Sequence, residues 1–273
     1  PRRLTRLLLP AIVAVFGVGF SFGDLTTSFE DFEITFGQTT VQAQDDGDSN
    51  GPTAEELAEK MQEFYKETDD YKARFNQVYT DVAAGNKKTQ RGKVYFKKPG
   101  KMRWDYYKPT SDERKKLLVS DGTTLWVYEY EFKQVFQQCM STTKNQLPTS
   151  LTFLMGQGNL LETFNVSYAN GSTDQRPILE LVPKKPTSKY KKLHFVVDPE
   201  TYQVERTTVF DPYGNTNEID FYKVEVNTNL PNSGFQFSPP KGARLLNPQK
   251  DCGSASKSNG SDSKDKKAQN DDK

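Results

Sequence analysis

The chain has little of what most enzymes and metal proteins use. Among its 273 residues there is one histidine, His194, and there are two cysteines, Cys139 and Cys252. His194 lies in a predicted strand, where a histidine is usually structural, and the cysteines lack the spacing of a metal site. The sequence also contains no Gly-x-Ser-x-Gly elbow and no phosphate-cradling loop. We therefore predict no catalytic site, no bound metal and no cofactor.

The chain also lacks an apolar run of the length that a membrane span needs, which is about 20 residues. Residues 2–6 carry three arginines, and an apolar run from Leu7 to Phe20 follows them. This order is typical of a secretory signal. We predict a signal segment over residues 1–43, which ends at the small-residue site Val41-Gln42-Ala43. A cut near Gly23 and an uncleaved anchor are the alternatives.

Composition divides the rest of the chain into three parts. Residues 44–52 form a polar linker, and residues 53–247 form one folded domain that is long enough for a sizeable core. Residues 248–273 contain no aromatic residue and no aliphatic residue larger than alanine, so we predict a disordered charged tail. An exported protein can form disulfides. Because Cys252 lies in the tail, its pairing with Cys139 is left open.

The balance of charges excludes one class of partner. The 37 basic and 36 acidic residues are interspersed, and the formal net charge is +1. A nucleic-acid-binding surface would instead show massed basic residues. We predict no nucleic-acid partner, and we expect a monomer.

Periodicity within the domain predicts mainly strands. One amphipathic helix is predicted over residues 53–71, and Thr53 with Glu56 forms a capping box at its start. Alternating strands follow, with a hairpin turn at Asp121-Gly122. One or two short apolar helices interrupt them between residues 139 and 163, and strands then recur about every ten residues as far as FQFSPP, residues 235–240. The pattern favours a curved antiparallel sheet or open barrel.

The stretch KMRWDYY, residues 101–107, has one clearly apolar face. Met102, Trp104 and Tyr106 alternate with polar residues, as in a strand with one buried side. Trp126 lies in a neighbouring predicted strand, which is apolar on both faces. The apolar face of residues 101–107 either packs in a closed core or holds an apolar guest, and composition alone favours the core.

Longer segments resemble the LolA family of periplasmic lipoprotein carriers. The similarity is carried by GKVYFKKPGKMRWDYYKP, LLVSDGTTLWVYE, FLMGQGNLLETFNV, FDPYGNTNEIDF and FQFSPPKGARLL, and it extends over about residues 65–246. The resemblance implies an unclosed antiparallel β-barrel, a curved sheet of the LolA/LolB type, with lid helices over an apolar cavity. It also implies a periplasmic protein that takes acylated lipoproteins from an inner-membrane ATP-driven releasing complex and delivers them to an outer-membrane receptor.

The resemblance also suggests site residues. Lys98 stands at the basic position that is linked to closure of the lid, where many relatives have arginine. The positions expected to line the acyl cavity or its lid are Lys98, Met102, Trp104, Tyr106, Trp126, Leu151, Phe153, Leu154 and Met155. For Trp126, the alternative is a place in the core on the other side of the sheet.

Three other functions are compatible with the sequence. A lipid-sensing or receptor module can use the same open barrel without ferrying cargo. An enzyme that acts on a lipid or glycan is disfavoured by the thin inventory of catalytic residues. A structural domain with a closed core would explain the aromatic residues without any ligand.

Overall fold

The computed structural model describes residues 51–140, 153, 158–246 and 252. Helix α1 (Ala54–Glu67) begins at Thr53, whose hydroxyl accepts a hydrogen bond from the Glu56 backbone, while the Glu56 carboxylate accepts one from the Thr53 N–H. The predicted capping box is therefore confirmed. The helix ends earlier than predicted because the backbone is already extended at Thr68 and the first strand starts at Asp70.

Within the described residues, twelve strands form one sheet. The first six are β1 (Asp70–Asp81), β2 (Asn86–Lys97), β3 (Lys101–Tyr107), β4 (Arg114–Ser120), β5 (Thr124–Glu129) and β6 (Gln134–Cys139). The short helix α2 (Leu160–Thr163) follows, and then β7 (Phe164–Tyr168), β8 (Ile178–Pro183), β9 (Lys192–Val197), β10 (Val204–Phe210), β11 (Thr216–Val226) and β12 (Arg244–Leu246).

The strand order is β12-β6-β5-β4-β3-β2-β1-β11-β10-β9-β8-β7. Two antiparallel meanders, β1 to β6 and β7 to β11, are thus joined through the pair β1 and β11. Strands β12 and β7 are the edges and, in the part of the chain described, do not pair with each other. The sheet is therefore an unclosed curved sheet with few helices, as predicted.

The end of the domain differs from the prediction. Residues 235–240 do not form a strand; a 3-10 helix spans Asn232–Phe235 instead, and Phe235 is buried. Two consecutive prolines follow at Pro239 and Pro240, and neither has an N–H to donate to a sheet. The last strand is β12, which pairs with β6 in parallel rather than antiparallel orientation.

The main core lies between α1 and one side of the sheet, which we call the inner face. It carries Phe75, Val94, Trp104 and Leu118, which are buried in one cluster with Leu57 and Met61 of α1. The opposite side is the outer face. In the described residues, no helix has the length and hydrophobicity to cross a membrane.

Candidate functional site

The alternation in residues 101–107 places three predicted residues together. Met102, Trp104 and Tyr106 are all buried on the inner face of β3. The Trp104 ring lies 4.9 Å from that of Phe75 and 6.3 Å from that of Tyr106, centroid to centroid. Edge and stacked contacts of this kind are favourable arrangements of aromatic rings. The centre of the inner face is thus a continuous aromatic surface.

Helix α1 covers part of this surface and is held by polar contacts at several points. The Tyr65 hydroxyl accepts a hydrogen bond from the backbone N–H of Val204 at 3.0 Å. The Gln62 side chain accepts one from the Leu160 N–H at 2.6 Å, which joins α1 to α2. These contacts position the apolar stripe of α1 over the sheet, so the inner face is closed in this structure.

Lys98 contacts the C-terminal end of α1. Its ammonium donates a hydrogen bond to the carbonyl oxygen of Tyr65 at 3.0 Å and a second to that of Lys66. Carbonyls in the last turn of a helix lack intrahelical donors, and a cation there also interacts favourably with the helix dipole. Lys98 therefore links the end of β2 to the helix that closes the inner face, which is the contact that a latch requires.

Phe153 also packs into this core. It is buried, and its ring lies 5.7 Å from that of Phe164 at the start of β7. Its side chain thus joins the cluster that covers the inner face. The other three predicted lid positions, Leu151, Leu154 and Met155, lie outside the described residues.

Trp126 does not join the other predicted residues, and the prediction that it shares their face is wrong. Trp104 pairs with Leu118, which pairs with Val127, so these three share the inner face. Because neighbouring residues of a strand point to opposite sides, Trp126 lies on the outer face. There it packs against Phe237, at 6.1 Å between ring centroids, in a second apolar cluster.

Sequence reasoning missed a buried lysine on the inner face. Lys116 is 4% exposed and pairs across the strands with Tyr106 on one side and Glu129 on the other. Its Nζ lies 4.3 Å from the centroid of the Tyr106 ring, a cation–π contact. Burial lowers the pKa of the Lys116 ammonium to about 8, and the Glu129 carboxylate offsets only part of this shift. Lys116 stands two residues before Leu118, a spacing that already placed it on that face.

The inner face also carries a donor without an acceptor. Trp104 is 2% exposed, and its Nε1 has no hydrogen-bond partner among the described residues. Buried polar groups are nearly always hydrogen-bonded, and one that is not destabilises the fold. The inner face thus carries two polar groups within an aromatic surface, the indole N–H of Trp104 and the Lys116 ammonium.

The outer face is held by polar networks that sequence reasoning did not identify. Asp105 is buried there and receives two hydrogen bonds from the Arg103 guanidinium, at 2.9 and 3.0 Å, and an ion pair from Arg114 at 3.1 Å. His194 lies 2.8 Å from a carboxylate oxygen of Glu180, in agreement with a structural role. These contacts stabilise the sheet on the side away from α1.

Cys139 and Cys252 form a disulfide. The sequence leaves this pairing open because Cys252 lies in a segment without aromatic residues or aliphatic residues larger than alanine. The bond joins residue 252 to the end of β6, the strand beside which β12 lies. Residue 252 is therefore covalently tied to the end of β6.

The protein is a curved, unclosed sheet, and a helix covers its aromatic inner face. Proteins of this class can enclose an apolar ligand between the helix and the sheet. Comparison with known proteins identifies the family. The profile of the family "Outer membrane lipoprotein carrier protein LolA" matches residues 66–238, and the chain belongs to this family.

Two relatives with the same family name agree with this assignment. The chain is 32% identical over 190 residues to an outer-membrane lipoprotein carrier protein of Methylobacillus flagellatus, covering 69% of this chain and 87% of that protein. It is 28% identical over 188 residues to the protein of the same name from Dechloromonas aromatica, covering 69% and 86%. Among solved structures, a LolA superfamily protein from Nitrosomonas europaea covers 68% of this chain and 99% of its own, with 15% identity and a TM-score of 0.39.

Proposed function

We propose that this protein carries acylated lipoproteins, with their acyl chains against the inner face of the sheet. The observation that carries the proposal is membership of the lipoprotein carrier family, together with an aromatic inner face that one latched helix covers. Transfer of each acyl methylene from water to an apolar surface is worth about 0.8 kcal/mol. A lipoprotein with several chains therefore needs a protein that shields them on its way through water.

The proposed site is the surface that opens when α1 and the segment around Phe153 move away from the sheet. Met102, Trp104 and Tyr106 would contact the chains, and Lys98 would hold α1 closed in their absence. Leu151, Leu154 and Met155 are proposed as lid positions from the family resemblance. Trp126 is not part of this site because it lies on the outer face.

The proposal also covers place and partners. The carrier-protein relatives imply a non-enzymatic chaperone role. We place this protein in the periplasm, where it would receive cargo from an inner-membrane ATP-driven complex and deliver it to an outer-membrane receptor. Depletion of the protein should then cause outer-membrane lipoproteins to accumulate in the inner membrane. Normal lipoprotein sorting after depletion would contradict this part of the proposal.

A binding experiment tests the central claim. The protein is mixed with a triacylated lipoprotein or with its unacylated form, and soluble complexes are sought by native mass spectrometry. We expect a complex with the acylated form alone. Absence of both complexes would indicate that the inner face is only a closed core.

The two tryptophans of the chain supply a matched pair of reporters. In Trp126→Phe the only indole is Trp104 on the inner face, and in Trp104→Phe it is Trp126 on the outer face. Acyl ligand should change the emission of the first variant and leave that of the second unchanged. The same response in both variants would place the ligand elsewhere.

A further inference from the structure

Two buried side chains that carry hydrogen-bond donors, Trp104 and Lys116, contact the same aromatic ring on the inner face, that of Tyr106. The Trp104 ring stacks at 6.3 Å on the Tyr106 ring, and Lys116 Nζ lies 4.3 Å from the centroid of the same ring. Trp104 pairs with Leu118 and Tyr106 with Lys116, so the two donors belong to adjacent inner-face positions of β3 and β4. In the described part of the chain, Trp104 Nε1 has no hydrogen-bond acceptor, and the Lys116 ammonium forms no ion pair but lies over the Tyr106 ring.

The surrounding residues do not supply the missing acceptor. Glu129 is the nearest carboxylate by strand pairing, yet it forms no ion pair with Lys116 among the described residues. Phe75 and Tyr106 present their rings to the indole. A core built only for packing would place an apolar side chain at position 116, because a buried unpaired ammonium is costly. The arrangement instead suits a ligand that brings oxygen acceptors together with hydrocarbon.

We propose that Trp104 Nε1 and Lys116 Nζ donate hydrogen bonds to the acyl carbonyl oxygens of the bound lipid. This inference rests on the function proposed above and adds an orientation to it. The ester and amide carbonyls where the chains begin would lie at the Tyr106 end of β3. The hydrocarbon would extend towards Met102 and the region beneath α1, where the inner face carries Phe96 and Tyr71.

The lipid anchor of a lipoprotein and a free fatty acid share this chemistry, since both begin with a carbonyl group. They differ in charge, because a fatty acid ends in a carboxylate and the anchor carries neutral esters and amides. A carboxylate would form an ion pair with Lys116, whereas the lipoprotein anchor, which is the cargo proposed above, offers only neutral carbonyls. We therefore assign the site to neutral acyl carbonyls, and the test includes palmitate as a separate arm.

The test compares two lipopeptides that differ only in their links. One is a tripalmitoylated cysteinyl peptide with ester-linked chains, and the other is its dialkyl ether analogue, which lacks the ester carbonyls. Their dissociation constants are measured with the full-length chain. Loss of a neutral hydrogen bond typically costs a factor of about 2–12, and loss of one from a charged donor costs about 12–150. We expect the unaltered protein to bind the ester lipid at least about tenfold more tightly than the ether lipid.

Two variants remove the donors one at a time. Trp104→Phe keeps an aromatic ring and loses the N–H, and Lys116→Met keeps the chain length and loses the ammonium. Each should reduce the preference for the ester lipid, Lys116→Met more strongly. Trp126→Phe and Lys93→Met make the same changes on the outer face and should leave the preference unaltered. Thermal unfolding of all four variants confirms that they are folded.

A spectroscopic signature gives an answer that does not depend on the inner-face variants. In Trp126→Phe, the single indole N–H resonance of Trp104 should move downfield when the ester lipopeptide binds and move little with the ether analogue. Equal ester preference in all variants, with an unmoved indole resonance, would overturn the inference while lipid binding still supports the carrier. Failure of both lipopeptides to bind would overturn the carrier proposal itself. Tight palmitate binding that depends on Lys116, without an ester preference, would instead indicate a carboxylate site and overturn our assignment.

Discussion

Removal of the Lys98 side chain should loosen α1 without unfolding the sheet. The ammonium of Lys98 binds the carbonyl oxygens of Tyr65 and Lys66 at the C-terminal end of the helix. Hydrogen bonds from a charged donor contribute about 1.5–3 kcal/mol, and a cation at a helix C-terminus contributes about 0.3–1 kcal/mol. Because one of the two bonds is exposed to solvent, we expect Lys98→Ala to cost α1 about 1.5 kcal/mol.

This cost has a measurable consequence for the helix. An energy of about 1.5 kcal/mol corresponds to a rise of about tenfold in the fraction of molecules with α1 open. Hydrogen exchange followed by mass spectrometry should show faster exchange in peptides from Ala54–Glu67, by about that factor. Peptides from the paired strands β1 and β2 should exchange at an unaltered rate, because their ladder does not involve the Lys98 side chain.

The neighbouring lysine provides the control. Lys97 donates to the carbonyl oxygen of Leu230, in the loop after β11, rather than to α1. Lys97→Ala should therefore accelerate exchange around residue 230 and leave α1 unaffected. If Lys98→Ala leaves α1 protected, or if both variants loosen α1 equally, the latch reasoning is refuted.

Three further predictions concern stability. In Gly92→Ala the new Cβ would lie 2.1 Å from the carbonyl oxygen of Asp105, so we expect the unfolding free energy measured in urea to fall by about 3 kcal/mol. An unchanged unfolding free energy would mean that the strands can move apart freely. Lys116→Met should raise the unfolding free energy by about 2–3 kcal/mol at pH 7, because the folded protein lowers the pKa of this ammonium to about 8 from 10.5. Between these two pKa values the folded state binds fewer protons than the unfolded state, so the unaltered protein gains stability as pH rises through them. The difference in unfolding free energy between Lys116→Met and the unaltered protein should therefore shrink towards pH 10.5. A difference that stays constant with pH would contradict the lowered pKa of Lys116. Cys252→Ser removes a disulfide that spans 113 residues and should lower the unfolding free energy by about 3–5 kcal/mol. The unaltered protein should lose the same amount of stability under reductant. Unequal losses would mean that the disulfide is not the cause.

Local patterns predicted the strands well because most of them have one buried side. Residues 101–107 were predicted as a strand with Met102, Trp104 and Tyr106 on its apolar face, and β3 has these bounds and this face. The pairing of β1 with β11 could not be predicted in the same way. The two strands lie about 150 residues apart in sequence, and alternation in one strand carries no information about its distant partner.

Two errors have physical reasons of the same kind. The sequence prediction favours the inner face for Trp126 and keeps the outer core as the alternative; the register of β4 against β5 sets its face and places it in the outer core. Phe235 and Phe237 alternate as in a strand, yet Phe235 ends a 3-10 helix whose Gly234 carbonyl oxygen accepts a hydrogen bond from Arg103. In both cases a contact outside the segment overrides its own local pattern.

Lys116 was missed for a different reason. A lysine in a strand is normally solvated, so the spacing from Leu118 predicts the face of Lys116 but not its burial. The alternation with Leu118 places Lys116 inside, and the burial is tolerated because Tyr106 covers the ammonium. Conflicts between the local sequence pattern and the observed burial of a residue are expected at functional sites, such as a ligand-binding site.

The closed inner face has a further consequence, because α1 competes with the cargo for the same surface. Leu57 and Met61 already bury this surface in the absence of a ligand. Binding thus exchanges one apolar partner for another, and the net affinity depends on how firmly α1 is held. When only the open state binds, the apparent dissociation constant equals the intrinsic one divided by the open fraction. Lys98→Ala, which we expect to raise that fraction about tenfold, should therefore strengthen lipopeptide binding by up to about tenfold.

Slower release of the cargo should accompany the tighter binding, because the closing helix would displace the chains less effectively. Lys98→Arg tests the opposite direction, since a guanidinium can donate to two carbonyls in a fixed geometry and should hold α1 more firmly. Dissociation of the ester lipopeptide should then be slowest in Lys98→Ala and fastest in Lys98→Arg. Equal dissociation rates in both variants and the unaltered protein would mean that α1 stays in place during binding. The acyl chains would then have to enter from another side of the sheet.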